Sequence, residues 1–189
     1  MFYIDLLFLD IDSTVEAKER PMIEMKVAGI ALDAVSRSPI VLLKDASDRR
    51  ALPIYIGKEQ ARAIINALEG QKPPRPLTHD LIANLFEVWE MNLDRILIHA
   101  LQDNTFYAVL CMKKGNLKKE IDCRPSDAIA IALRTNSPIW VMEEVVADAS
   151  IPVDREADEK ERKAFRKFIS NLRPEDLIQR GGLTNKNED

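Results

Sequence analysis

From Lys58 to Leu68, apolar residues fall at Ala61, Ile64, Ile65 and Leu68, the i, i+3, i+4, i+7 spacing that gives an α-helix one apolar stripe. The chain before it reads differently. Apolar runs at about Ile23 to Leu32, Ile40 to Leu43 and Arg50 to Ile56 predict strands, the first two joined across Ser36-Arg37-Ser38-Pro39. Gly70 stands where a helix C-cap is expected. The next residues, Gln71 to Pro76, hold three prolines, which remove donors and push their predecessors into extended backbone, so a stiff connector is expected. Thr78 then reads as the N-cap of a second helix running through Trp89, with Leu77 and Ile82 forming a hydrophobic staple.

Strands are expected at Arg95 to Leu101 and Thr105 to Met112 around Gln102-Asp103-Asn104, with Leu117 to Ile121 closing a second hairpin. Pro125 suits the first turn of a helix to about Thr135. Its Ala128, Ile129, Ile131, Ala132 and Leu133 are apolar nearly all round, so this helix should be the most buried. A short strand follows at Ile139 to Met142. In residues 155–172, Ala164, Phe165, Phe168, Ile169 and Leu172 form a stripe opposite Glu/Lys and Asp/Arg pairs at i, i+4, predicting an accessory helix within 155–178. The polar tail 179–189 is expected to be disordered. Hairpins with helices inserted between them predict an α+β fold, a mixed, largely antiparallel sheet.

Composition narrows this only a little. A chain of 189 residues, 46% hydrophobic, can bury one good core. No apolar run approaches the roughly 20 residues that span a bilayer, and the apolar start lacks a basic leader, so a cytoplasmic protein without a membrane partner is expected. The net charge of −4 confines nucleic-acid contact to a local basic patch. Two cysteines are too few for a zinc cage. If Gly115-Asn116 is a two-residue loop, Cys123 pairs with Ala108, and Cys111 and Cys123 point to opposite faces as free thiols.

The opening LLFLDIDST resembles the first motif of haloacid-dehalogenase-type phosphatases, a resemblance that would make Asp10 a nucleophile and Asp12 an acid. That chemistry needs a central strand in a parallel sheet, whereas hairpins follow here. From Met22, by contrast, MIEMKVAGIALD, SPIVLLKD, LPIYIG, ALEG, PPRPLTHDL and RPSDAIAIALRTNSPI resemble the bifunctional nuclease (BFN) domain family, and FRKFISNLRPEDL resembles its usual end. The resemblance covers about Met22 to Asp154 and leaves residues 1–21 as an extension, so a chain starting at Met22 should fold with nearly unchanged stability. It implies an α+β domain, self-association as a homodimer or higher oligomer, and nuclease activity on RNA and DNA. It does not imply a catalytic set.

Residue chemistry supplies the candidates. Arg75-Pro76-Leu77-Thr78-His79-Asp80 delivers Arg, His and Asp to a helix start, where backbone donors favour anions. Asp122-Cys123-Arg124-Pro125-Ser126-Asp127 does the same. In a metal-dependent nuclease, Asp80, Asp122, Asp127 and Glu69 are candidate ligands for Mg²⁺ or Mn²⁺. His79, Asp80 and Asp127 are the catalytic candidates, with His79 as acid or base; Arg75 and Arg124 would hold phosphate. The alternative is a noncatalytic nucleic-acid or protein-binding regulatory domain in which Asp80 and Asp127 serve the helix starts and Arg124 pairs with Asp122 or Glu69. Lys113, Lys114, Lys118 and Lys119 at a hairpin tip are the densest basic group and the expected phosphate contact. His99, grouped by alternation with Leu97 and Leu101, reads as a half-buried strand residue. Convergence of the THDL and RPSD segments is the feature that separates the two readings.

Overall fold

The computed structural model describes residues 21–71 and 73–153. Strands β1 (Met22–Leu32), β2 (Pro39–Asp45) and β3 (Arg50–Tyr55) precede helices α1 (Lys58–Leu68) and α2 (Thr78–Val88). Strands β4 (Asn92–Gln102), β5 (Thr105–Lys114) and β6 (Leu117–Cys123) come next, followed by α3 (Pro125–Thr135), β7 (Ile139–Met142), α4 (Glu143–Ala149) and β8 (Ile151–Pro152). The strands form one sheet in the order β6-β5-β4-β7-β1-β2-β3-β8. Two antiparallel meanders, β1-β2-β3 and β4-β5-β6, are joined by β7, which runs antiparallel to β1 and parallel to β4. The parallel pairing of β4 with β7 makes the sheet mixed, and the fold is α+β as expected. Residues 1–20 and 154–189, including the Asp10-Asp12 motif, the accessory helix and the tail, lie outside the described residues.

Helix α3 is the buried helix that its composition predicts. Pro125 occupies its first turn, and Ala128, Ile129, Ala130, Ile131 and Ala132 are all buried. It packs against α1 and α2 on either side and against β4 and β5 beneath. Asn136, in the left-handed region at φ 53°, ends it. Helix α1 ends one residue earlier than Gly70 suggests: Glu69 is the C-cap, and Gly70 follows at φ +64°, a conformation glycine adopts without a Cβ penalty. The Gly70 N–H donates to Ala67 O and the Gln71 N–H to Asn66 O, satisfying two end carbonyls.

Thr78 is not the N-cap. Leu77 holds the extended cap conformation (φ −80°, ψ 174°) and Thr78 is already helical, because the Asp80 carboxylate caps from inside by accepting the Leu77 N–H at 2.8 Å. With Leu77 as the cap, the expected staple geometry shifts by one residue and does not apply. Helix α2 has no fully buried residue: Ile82 and Phe86 pack partly into the core, while Leu81 and Val88 are exposed. Neither α4 nor β8 was expected, since EEVVADA is too short to display a period and β8 is a two-residue pairing with Arg50 and Ala51.

The register of the second hairpin places Ala108 opposite Cys123 and Glu120 opposite Cys111, with Lys114 opposite Leu117 across the two-residue loop. Both thiols are free. Burial, reinforced by the charges of Asp122 and Asp127, pushes the Cys123 thiol up to about 12, and burial raises Cys111 as well. Thiolate is the reactive form. Folded protein at pH 8 should therefore resist iodoacetamide at both positions and take up two labels only after denaturation, as read by mass spectrometry. Labelling of native Cys123 at the rate of a free thiol would contradict this placement.

Candidate active site

Helices α2 and α3 begin alike, with an extended cap residue (Leu77, Arg124) and an Asp third in the helix (Asp80, Asp127). Their partners diverge. Asp80 accepts the Leu77 N–H through Oδ2 and the Arg134 Nε–H through Oδ1 at 2.5 Å. Asp127 instead reaches outward: Oδ2 accepts Arg124 Nε–H at 2.7 Å, and Oδ1 lies 3.1 Å from His79 Nε2. The THDL and RPSD segments therefore converge, and a hydrogen bond between residues 48 apart in sequence joins the two helix starts. Asp127 does not act as a plain backbone cap, and Arg124 pairs with Asp127, not with Asp122 or Glu69.

The chemistry of the pair follows from its atoms. An ionised carboxylate only accepts, so with Asp127 ionised the contact assigns the ring N–H to Nε2 and leaves Nδ1 as the ring's lone-pair nitrogen. His79 is 14% exposed and Asp127 25%, which limits water competition for their bond. Arg124 is 68% exposed, so its ion pair adds little stability and its terminal nitrogens are open to a phosphate.

Asp80 and Arg134 form a second pair of similar exposure. Burial alone would raise the Asp80 carboxyl, but the hydrogen bonds from Arg134 and Leu77 and the guanidinium charge outweigh it and hold the group below the usual carboxylate range. Arg134, 10% exposed, also donates from Nη1 to Ala63 O at 3.1 Å and to Ala130 O at 2.8 Å. Sequence reasoning passed over this residue. Its only local signal is a lone cation two turns after Asp127 on an otherwise apolar helix. Beyond it, a cavity of about 480 Å³ is lined by Phe86, Glu87, Glu90, Met91, Arg134 and Ser137 among others.

Among the described residues, Glu69, Asp122 and Arg75 make no hydrogen bond or ion pair with His79 or Asp127. Glu69 is exposed at the end of α1 and accepts from Gln71 Nε2. Asp122 is exposed on β6 opposite Val109, and Arg75 is exposed on the connector. Lys114 Nζ donates to Trp89 O at the C-terminal end of α2, where a cation complements the dipole. That ties the Lys113/Lys114/Lys118/Lys119 tip to the end of α2 opposite His79, about 15 Å away at 1.5 Å per residue. His99 is half-buried beside Tyr107, their rings 6.5 Å apart.

Comparison with known proteins adds a second line. A family model described as the bifunctional nuclease domain matches residues 41–154. An uncharacterized protein of Mycobacterium tuberculosis (strain H37Rv) is 40% identical over 162 residues, covering 82% of this chain and 97% of its own. Bifunctional nuclease 1 of Oryza sativa subsp. japonica is 29% identical over 125 residues, 64% of this chain but 38% of the rice protein.

Proposed function

The chain belongs to the bifunctional nuclease domain family, and from that premise we propose that it hydrolyses phosphodiester bonds of RNA and DNA at the His79–Asp127 pair with a divalent cation. The observation that carries the reading is the 3.1 Å bond that makes an acid–base unit out of two helix starts. In this mechanism His79 Nδ1 takes a proton from a water whose oxygen attacks phosphorus. The P–O bond to the leaving oxygen, opposite the incoming water, breaks; that oxygen takes a proton from solvent and the ring gives its own back to solvent. Asp127 keeps the ring in the reactive tautomer and stabilises the imidazolium. Arg124 binds a non-bridging oxygen whose charge grows during attack.

The cation is Mg²⁺ or Mn²⁺. Among the described residues no three or more His, Cys, Asp or Glu side chains surround a metal position. Mg²⁺ can be held by one or two carboxylates, with substrate phosphate oxygens and water completing its shell. Asp127, together with Asp122, whose charges both act on the Cys123 thiol, would supply the protein's share, and a bound cation would neutralise charge on the phosphoryl oxygens. Asp80, engaged by Arg134 and Leu77, orients the helix start instead, and Glu69 stands outside the site. The hairpin lysines contact phosphates farther along the strand. Purified protein should cleave single-stranded RNA and DNA oligonucleotides in Mg²⁺ or Mn²⁺ and stop in excess chelator. Binding without cleavage under every cation would favour the noncatalytic reading.

Self-association, which the family implies, fits the outer face of α2. Leu77, Leu81 and Val88 recur there at steps of four and seven, and all three are exposed. A second copy of the same stripe is self-complementary across a two-fold axis. Sedimentation equilibrium at micromolar protein should give a dimer or larger for the wild type and a monomer for Leu81→Glu. A wild-type monomer of 21.5 kDa throughout would overturn the assignment.

A further inference from the structure

The geometry points to Arg134 as a positioning residue that sets the His79–Asp127 bond from outside the reacting atoms. The inference rests on the nuclease reading above. Helix α2 has no fully buried residue, so side-chain packing holds its first turn weakly. What holds it is polar. Through one guanidinium Arg134 joins three helices: Asp80 of α2, Ala63 O of α1 and Ala130 O of α3. Asp80 is the neighbour of His79, so the clamp fixes the peptide that carries the imidazole. The same arginine stands on α3, the helix that carries Asp127. Donor and acceptor of the catalytic bond are thus registered to each other by a second bond, whose acceptor is the neighbour of His79 and whose donor stands seven residues after Asp127 on the same helix.

A planar fork is required for this. Nε and Nη1 diverge at a fixed angle toward a carboxylate and two carbonyls, whereas a lysine offers a single ammonium on a flexible stem. Arg134→Lys keeps the charge and loses the registration. A displacement of about 1 Å at a reacting group can cost on the order of a hundred-fold, so a ten- to hundred-fold fall in kcat is expected, with KM within about two-fold.

The test uses the full chain with fluorogenic single-stranded RNA and DNA oligonucleotides in Mn²⁺, and compares wild type, Arg134→Lys, His79→Asn and the double variant, each melting above the assay temperature. The chain has two histidines, so ¹⁵N-histidine labelling resolves the ring signals of His79 and His99 in the same samples. The expected result is a kcat loss for Arg134→Lys that vanishes in the His79→Asn background, with a shifted His79 ring signal and an unmoved His99. An equal fold-loss in both backgrounds, or an unmoved His79 ring, overturns the inference. Should His79→Asn itself cost nothing, the nuclease reading at His79 fails and the ring signal alone decides the role of Arg134. Where Arg134→Lys does not stay folded, Asp80→Asn, which leaves the two carbonyl contacts in place, enters the same cycle with the same expected outcomes.

Discussion

Asp127→Asn should lower kcat for oligonucleotide cleavage by about a hundred-fold or more while leaving the fold intact, the loss ordinarily seen when positioned acid–base chemistry is removed. The carboxylate contacts His79 Nε2 and pins the exposed Arg124. In the proposed mechanism it would also stabilise a protonated ring and share in holding the cation. An amide in its place can offer the ring an N–H, which favours the wrong tautomer, and it gives Arg124 no counter-charge. His79→Asn should fall by a similar factor. Unaltered turnover in either variant, under identical cation concentration, would move the chemistry elsewhere.

The largest effect on stability should come from Arg134→Ala, a loss of about 3 kcal/mol in urea or thermal unfolding. Removing one partner of an enclosed ion pair leaves the other without compensation, and Asp80, 24% exposed, recovers only part of its hydration. The truncation also frees the carbonyls of Ala63 and Ala130 and strips the alkyl stem from the contact of α2 with α3. The pair carries a pH signature. The folded Asp80 carboxyl lies below its ordinary value of 3.8, so its contribution is complete above the unfolded carboxylate range and is lost as pH falls through the lower, folded value. The stability gap between wild type and Asp80→Asn should therefore be full at neutral pH and shrink below about pH 4. A gap independent of pH would mean that Asp80 contributes shape and not charge.

Features set by local rules were legible in the sequence. The loop Gly115-Asn116 dictates the pairing of Cys123 with Ala108, and Pro125 with the apolar run behind it dictates a buried helix. Thr78 shows where a local rule loses. A threonine ahead of an apolar run ordinarily caps, but an aspartate two positions later can reach the same turn from inside, and the carboxylate is the stronger acceptor. Asp80 and Asp127 could not be told apart in sequence, since each is the third residue of a helix with an arginine upstream. What separates them is the partner across the α2–α3 contact: Arg134 for the one, His79 for the other. Those partners lie 54 and 48 residues away, beyond the reach of any periodicity. Segments α4 and β8 were missed for a related reason, being defined by what they pack on or pair with.

If His79 and Asp127 act as one unit, a double-mutant cycle in single-turnover cleavage will read their coupling. His79→Asn and Asp127→Asn should each remove nearly the whole acceleration, and the double variant should be scarcely slower than either. Losses that multiply, as for two independent residues, would contradict it.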